Sequence, residues 1–184
     1  MKTLRFARFR RAALSAVAAA LLLLPGAQPG RAEGGPQPLA AGKDAPLFET
    51  VDLEGKPFVL KDALAEGPVM LVFWSLFCGS CRDELPILQE ELPKFEARKI
   101  RLVTLNLDEA TRQKSVKTFT KQQGFTFPIL MNKTETKSYD IDLTYDVKMT
   151  PALYLIGKDG KIIFSHYGPL NPEELEEVLT KVPA

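Results

Sequence analysis

The sequence predicts an α/β fold with a central mixed β-sheet flanked by helices. A continuous apolar run at 68–75 has the composition of a strand that is buried on both faces, and the segment at 100–108 is predicted to be a second buried strand. A segment with helix-compatible apolar spacing follows each run, and a hairpin pattern and a further helix come later in the chain. Strands that alternate with helices in this way form a sheet with helices packed on both of its faces.

The first half of the domain is predicted to begin with a hairpin, whose turn lies at Glu54-Gly55. Four elements are expected in this half: a hairpin at 47–60, one or two helical turns at 60–67, a buried strand at 68–75 and a helix at 81–99. Pro86 falls inside the last of these segments and is expected to kink the helix, because proline lacks the N–H that a helix interior uses.

The second half is predicted from its turn and cap residues. Six elements are expected: a buried strand at 100–108, a helix at 109–124, a short strand at 125–130, a helix at 133–143, a hairpin at 152–168 and a helix at 171–182. Gly124 stops the first helix, and Asp159-Gly160 forms the hairpin turn. Asn171 caps the last helix and Pro172 takes its first position.

The beginning of the chain has the layout of a secretory signal peptide. A basic stretch precedes an apolar run at 12–24, and small residues surround a cleavage point after Ala32. The apolar run is shorter than the roughly 20 residues that a membrane-spanning helix needs, so an uncleaved membrane anchor is the less favoured alternative. We expect a signal peptide at 1–32, a flexible lead-in at 33–42 and one folded domain at 43–184.

The charge balance argues against a nucleic-acid partner. The formal net charge of the whole chain is +1. Removing residues 1–32 takes six of the 24 basic side chains and none of the 23 acidic ones, which leaves a net charge of −5. A mildly acidic domain without a basic patch does not fit a nucleic-acid binder. Export would place the protein where disulfides form and persist.

Cys78 and Cys81 are the two cysteines of the chain. A bridge between them closes a loop too small to constrain the unfolded chain strongly, which disfavours a purely structural disulfide. Structural zinc needs four ligands, and His166 is the single histidine. Where a buried strand leads into a helix, the helix dipole and free N–H groups favour thiolate over thiol. We therefore assign Cys78 as the nucleophile and Cys81 as the resolving thiol.

Three further features accompany the cysteine pair: the aromatic pair Phe73-Trp74, the segment Glu84-Leu85-Pro86, and YDVKMTPALYLIGKDGKI at 145–162. With FWSLFCGSC, they resemble the exported branch of thioredoxin-fold thiol–disulfide oxidoreductases called TlpA, ResA and CcmG-like, which is related to the AhpC/TSA proteins. The resemblance covers the chain from about Lys43 onward. It implies a thioredoxin-like fold with an N-terminal β-hairpin extension.

The resemblance also implies roles for individual residues. Pro151 would be a cis-proline that faces the disulfide, with Thr150 before it; a trans proline at a strand start is the alternative. Glu84 would move protons to or from Cys81; the alternative is a solvated helix carboxylate. The expected substrate-facing residues are Trp74, Phe77, Gly79, Ser80, Thr150 and Pro151, although Trp74 could instead only fill the core.

Two departures from the family pattern affect the reduction potential that we expect. Ser80 stands where the family usually has proline, and its hydroxyl could hydrogen-bond a thiolate. Phe77 occupies a position that is often tryptophan or another aromatic residue. Related pairs span about −270 mV to −120 mV, and the fold alone does not select a value on that scale.

The resulting expectation is a monomeric, periplasmic reductase of disulfides in exported proteins, possible substrates being apocytochromes c. By family analogy, a membrane donor of the DsbD or CcdA kind would restore the dithiol, and neither a cofactor nor a metal is required. A thiol oxidase of the same fold and a non-enzymatic redox switch or binding module stay open. A Sco-like copper site is disfavoured because Thr150-Pro151 stands where that family has its histidine. A peroxiredoxin is disfavoured because VFWSLFC lacks the expected proline.

Overall fold

The computed structural model describes residues 36–182, so the predicted signal peptide lies outside the described residues. This part of the chain has seven strands: β1 (Glu49–Asp52), β2 (Pro57–Val59), β3 (Val69–Trp74), β4 (Arg101–Asn106), β5 (Ile129–Met131), β6 (Ala152–Ile156) and β7 (Ile162–Tyr167). They form one mixed sheet in the order β2-β1-β5-β4-β3-β6-β7. Strands β3, β4 and β5 are parallel, whereas β1 and β6 pair antiparallel with their neighbours.

Six α-helices connect or follow these strands: α1 (Leu60–Glu66), α2 (Gly79–Glu90), α3 (Leu92–Ala97), α4 (Gln113–Gln123), α5 (Ile141–Thr144) and α6 (Pro172–Thr180). A 3-10 turn at Ala110–Arg112 precedes α4. Within residues 36–182, no helix is both long enough and apolar enough to cross a bilayer.

Strand β3 lies in the interior of the sheet and separates two cores. All six of its side chains are buried. Met70, Val72 and Trp74 contribute to a first core with apolar residues of α2, α3, α4 and α6. The alternate residues of the strand contribute to a second core with α1 and α5. Because successive side chains of a strand point to opposite faces, helices cover both faces of the sheet, and the predicted α/β class is confirmed.

The predicted N-terminal hairpin is confirmed as an extension of the sheet. Strands β1 and β2 pair antiparallel, and Gly55 in their turn has a φ of +79°. Glycine suits this position because other residues rarely adopt a positive φ. On its other side β1 pairs with β5, where Val51 lies opposite Met131. The hairpin therefore covers the edge that β5 would otherwise present.

The single helix predicted at 81–99 is wrong in one respect: two helices, α2 and α3, occupy the segment. Pro93 has no N–H to donate to the carbonyl of Gln89, so the hydrogen-bond ladder of α2 cannot pass it. Proline is well tolerated in a first turn, and Pro93 lies in the first turn of α3. Pro86 lies inside α2, which continues to Glu90.

The helix predicted at 133–143 is also wrong over most of its length. The helical part is α5, and the preceding residues form a turn in which Lys133 bridges to Ser138. The side chain of Asn132 accepts the N–H of Ile141 and donates to the Asp142 carboxylate. These contacts place the helix start after Asp140, a residue with a φ of +52°.

Candidate active site

The two cysteines lie where β3 leads into α2, as the sequence predicted. They form a disulfide, and Cys78 is the N-cap residue of α2. Cys78 is half-buried, whereas the side chain of Cys81 is fully buried. The Cys81 backbone N–H donates to Cys78 Sγ over 3.1 Å, and Ser80 Oγ lies 3.4 Å from the same sulfur. The arrangement makes Cys78 the sulfur that a partner can reach and supplies it with donors that stabilise negative charge.

Thr150 and Pro151 complete the surroundings of Cys78. The peptide bond between them is cis, which excludes the trans alternative. The Thr150 carbonyl oxygen lies 3.4 Å from Cys78 Sγ, although the two residues are 72 positions apart in sequence. Pairing of β6 with β3 brings them together, because Ala152 lies opposite Phe73. The ring of Pro151 is buried, so half-buried Thr150 is the member of this pair that a partner can reach.

Glu84 is a buried acid one turn beyond Cys81 on α2. Its side chain is 1% exposed, so the alternative of a solvated carboxylate is wrong. The Leu170 N–H donates to Oε1 over 3.0 Å, and Oε2 has no partner within the described part of the chain. Burial raises the pKa of Glu84 to about 7, although the hydrogen bond from Leu170 partly opposes the shift. The carboxyl group can therefore hold or release a proton near neutral pH.

The remaining predicted substrate-facing residues divide into a buried one and exposed ones. Trp74 is fully buried in the first core, and the centroid of its ring lies 5.9 Å from the ring centroid of Phe119. The expectation that Trp74 faces a substrate is therefore wrong, because β3 directs it inward. Phe77 is 73% exposed, and Gly79 and Ser80 are exposed beside it at the start of α2.

Met149 is a surface residue that the sequence analysis missed. It is 48% exposed and directly precedes Thr150. The segment before Cys78 therefore carries one exposed apolar side chain, Phe77. The segment before Pro151 carries another, Met149. The sequence could have indicated Met149 through its position two residues before the predicted cis-proline, Pro151.

Asp108 is a buried acid that the sequence analysis also missed. It lies two residues beyond β4, is 5% exposed, and accepts hydrogen bonds from the Ser75 hydroxyl, the Leu76 N–H and the Asn106 side chain. The sequence could have indicated Asp108 through the polar residues Asn106 and Asp108, which end the predicted strand at 100–108. Parallel neighbouring strands end at the same edge of a sheet, so acids that follow β4 lie near the loop that follows β3.

The residues considered for metal binding are not gathered in one place. Within residues 36–182, no group of three or more histidine, cysteine, aspartate or glutamate side chains has the geometry to hold a metal ion. His166 lies on β7, half-buried, with its ring stacked on that of Phe164.

Comparison with known proteins agrees with this site. The family model described as "AhpC/TSA family" matches residues 41–165. The chain is 39% identical over 141 residues to the thiol-disulfide oxidoreductase ResA of Bacillus thuringiensis subsp. konkukian, covering 77% of this chain and 78% of the relative. It is 34% identical over 139 residues to the thioredoxin-like protein YneN of Bacillus subtilis, covering 75% of this chain and 78% of the relative. The crystal structure of StoA from Bacillus subtilis matches with a TM-score of 0.60 and 26% identity, covering 73% of this chain and 96% of that one.

The fold, the cysteine pair and these relatives define a thiol–disulfide oxidoreductase of the ResA and StoA type, with a thioredoxin-like fold. The chain belongs to the AhpC/TSA family. The resemblance drawn from the sequence motifs is confirmed, and so is the enzyme class.

Proposed function

We propose that the protein is an exported reductase of disulfides in other exported proteins, with Cys78 as nucleophile and Cys81 as resolving thiol. The observation that carries this proposal is the asymmetry of the pair: Cys78 is half-buried at a helix N-terminus, and Cys81 is fully buried behind it. A sulfur that partners can reach begins the exchange, and a protected sulfur completes it.

The reaction is a two-electron exchange. The Cys78 thiolate attacks a substrate disulfide, forms a mixed disulfide and releases one substrate thiolate. The Cys81 thiolate then attacks Cys78 Sγ, which breaks the mixed disulfide and releases the second substrate thiolate. The substrate disulfide is reduced, and the Cys78–Cys81 dithiol becomes a disulfide.

Glu84 is the proposed acid–base group for Cys81. Both residues lie on the buried face of α2, where a thiol cannot readily lose its proton to water. With a pKa raised to about 7, Glu84 can accept a proton from the Cys81 thiol before the resolving step and return it after re-reduction.

Protein substrates are supported by the surface around Cys78. Phe77 directly precedes Cys78, and Met149 directly precedes Thr150, whose carbonyl oxygen lies 3.4 Å from Cys78 Sγ. Both of these apolar side chains are exposed. A small disulfide would need no such surface, whereas a polypeptide could lie along it. Apocytochromes c are one candidate substrate class, by family analogy.

The remaining parts of the proposal concern partners and location. The predicted signal peptide supports export to the periplasm or its equivalent. A membrane donor of the DsbD or CcdA kind would supply the electrons that restore the dithiol. We propose that the protein acts as a monomer without a metal or organic cofactor, because the cysteine pair itself carries the electrons.

The reduction potential of the Cys78–Cys81 couple in defined thiol buffers tests the direction of the reaction. A value near about −270 mV supports a reductase, and a value near about −120 mV means an oxidase that installs disulfides. The Cys78→Ser variant, which cannot form the disulfide, is the baseline. Absence of a reversible transition in the unsubstituted protein would favour a binding module.

Trapping with the Cys81→Ser variant tests the substrate class. This variant keeps the nucleophile but cannot resolve the mixed disulfide, so exported proteins that it attacks stay covalently attached. The doubly substituted variant Cys78→Ser, Cys81→Ser should trap none of them. Failure to trap any exported protein in cells would contradict the proposed protein substrates.

A further inference from the structure

The loop between the end of β3 and Cys78 is held by hydrogen bonds from three successive backbone N–H groups, those of Leu76, Phe77 and Cys78. This redox loop consists of Ser75, Leu76 and Phe77. The Leu76 N–H donates to Asp108 Oδ2 over 2.9 Å, and the Phe77 N–H donates to Ser75 Oγ over 3.1 Å. The Cys78 N–H donates to the Ser75 carbonyl over 3.1 Å. Two of these three bonds depend on side chains, which makes the path of the loop sensitive to those side chains.

Asp108, two residues beyond the end of β4, holds this arrangement. Its Oδ1 accepts the Ser75 hydroxyl over 2.5 Å, and its Oδ2 also accepts the Asn106 side-chain amide over 2.8 Å. The Asp108 N–H donates in turn to Asn106 Oδ1 over 3.1 Å. Asp108 is 5% exposed, and Asn106 is fully buried. A buried carboxylate without such donors would be strongly unfavourable, so the network is a fully partnered link between β4 and the redox loop.

We infer that Asp108, acting through Ser75 and the Leu76 N–H, is a positioning residue that holds Cys78 Sγ at the N-terminus of α2. The sulfur receives the Cys81 N–H over 3.1 Å and lies 3.4 Å from the Thr150 carbonyl oxygen. Both distances depend on where the redox loop places Cys78. Displacements of about 1 Å at a reacting centre are enough to slow chemistry greatly.

If Asp108 acts by positioning, its removal should shift the pH of Cys78 ionisation in one direction. If it acts only through its negative charge, the shift should be in the opposite direction. Removing a nearby negative charge would favour the thiolate and shift its ionisation to lower pH. Releasing the loop would weaken the N–H contact to the sulfur and shift the ionisation to higher pH. Arg112, which lies over the Phe77 ring, and buried Glu84 on α2 are the same in all of these variants, so they do not contribute to a difference between them. The direction of the shift therefore separates the two explanations.

The experiment measures two quantities on the reduced protein and its variants. One is the pH midpoint of Cys78 ionisation, from the ultraviolet absorbance of the thiolate. The other is the rate at which Cys81 displaces glutathione from the Cys78–glutathione disulfide that forms when the reduced protein attacks glutathione disulfide, followed from the moment of mixing. Neither requires the natural substrate or the direction of turnover, so they test the inference separately from the proposed reductase function.

For Asp108→Ala we expect a higher ionisation midpoint and a resolving rate lower by about tenfold, because a hydrogen bond to an anion is weakened. Asp108→Asn provides the conservative variant. Its amide oxygen can accept from Leu76 and Asn106 while its NH₂ donates to Ser75 Oγ, which preserves the geometry without the charge. We expect its resolving rate to stay within about twofold of the unsubstituted protein.

Asp142→Ala is the matched control. Asp142 also accepts a hydrogen bond from a buried asparagine at a strand end, since Asn132 donates to it over 2.7 Å, but it holds α5 rather than the redox loop. This control should lower the thermal midpoint and leave both Cys78 quantities unchanged. Ser75→Ala, which removes fewer bonds, should reproduce the Asp108→Ala effects in weaker form, and it decides the question if Asp108→Ala does not fold.

Two results would overturn the inference. In the first, Asp108→Ala behaves like Asp142→Ala and loses thermal stability without a change at Cys78. In the second, Asp108→Asn is as impaired as Asp108→Ala, or the ionisation midpoint falls in both, which would assign the effect to charge.

Discussion

At the scale of single residues, Glu84 and Trp74 show how burial decides a role. Both lie close to the cysteine pair in sequence, and both are buried. For tryptophan, burial removes the side chain from the surface that a substrate can contact. For glutamate, burial raises the pKa to about 7 and turns an ordinary carboxylate into a proton donor and acceptor.

The raised pKa of Glu84 predicts a specific dependence of stability on pH. The folded protein binds this proton more tightly than the unfolded chain, so the free energy of unfolding falls as pH rises from about 4.5 to about 7. The contribution is about 3 kcal/mol, since each pKa unit is worth about 1.4 kcal/mol. Glu84→Gln keeps an acceptor for Leu170 and cannot titrate, so urea unfolding at the two ends of this range should show a smaller decrease. Equal decreases in both proteins would contradict the assignment.

Phe77 supplies a prediction about substrates. Because it is 73% exposed, Phe77→Ala should change the free energy of unfolding by no more than about 0.5 kcal/mol. Its loss should lower the rate with a protein disulfide by roughly tenfold, because the substrate loses an apolar contact, and should leave the rate with a small disulfide unchanged. Leu143→Ala, an equally exposed position on α5, is the control. Parallel losses with both substrates would place Phe77 in the chemistry of Cys78 instead.

At the scale of elements, the site consists of the ends of strands and helices. Strand β3 ends before the redox loop, and α2 begins after Cys78. Strand β6 begins after the Thr150–Pro151 bond, and β4 ends before Asp108. The ends of helices and strands leave backbone N–H and carbonyl groups without partners in their own element. At this site, Cys78 Sγ, the Asp108 carboxylate and the Ser75 hydroxyl accept hydrogen bonds from such N–H groups.

The start of α6 gives a prediction at this scale. Asn171 accepts hydrogen bonds from the N–H groups of Glu173 and Glu174, and the Glu174 side chain accepts the Asn171 N–H. Asn171→Ala should lower the free energy of unfolding by about 1 kcal/mol, whereas Asn171→Ser should retain most of the cap. Urea unfolding measures both changes. Equal losses in the two variants would mean that the cap hydrogen bonds are not the cause of the loss.

At the scale of the whole molecule, one sheet is shared by two cores. Strand β3 contributes alternate side chains to each, so neither core can be lost while the other keeps a complete sheet. A domain of this size is expected to unfold in one cooperative transition.

A substitution in the second core tests whether the two cores unfold together, because Trp74, the single tryptophan, reports on the first core. Leu130 is fully buried in the second core, whereas Trp74 lies in the first. Leu130→Ala should lower the free energy of unfolding by about 2–5 kcal/mol, and tryptophan fluorescence and far-ultraviolet circular dichroism should report the same shifted midpoint. A tryptophan transition that stays in place would show that the two cores unfold separately.

Local signals account for the parts of the fold that could be predicted. The apolar runs became β3 and β4, Gly124 ended α4 in the left-handed region, and Asn171 with Pro172 began α6. The prediction at 81–99 overlooked a local signal, and the prediction at 133–143 was wrong where a side-chain contact outweighed the local pattern. Pro93 interrupted one helix, and the Asn132 side chain selected the start of the other.

By itself the sequence determined the class of chemistry, because two cysteines separated by two residues at a strand–helix junction depend only on neighbouring positions. Tertiary structure decided which groups surround the sulfur. The Thr150 carbonyl reaches Cys78 through pairing of β6 with β3, and Asp108 reaches the redox loop because β4 lies beside β3. Contacts between residues 32 to 72 positions apart arise from strand order and burial, and these are properties of the assembled sheet rather than of any short segment.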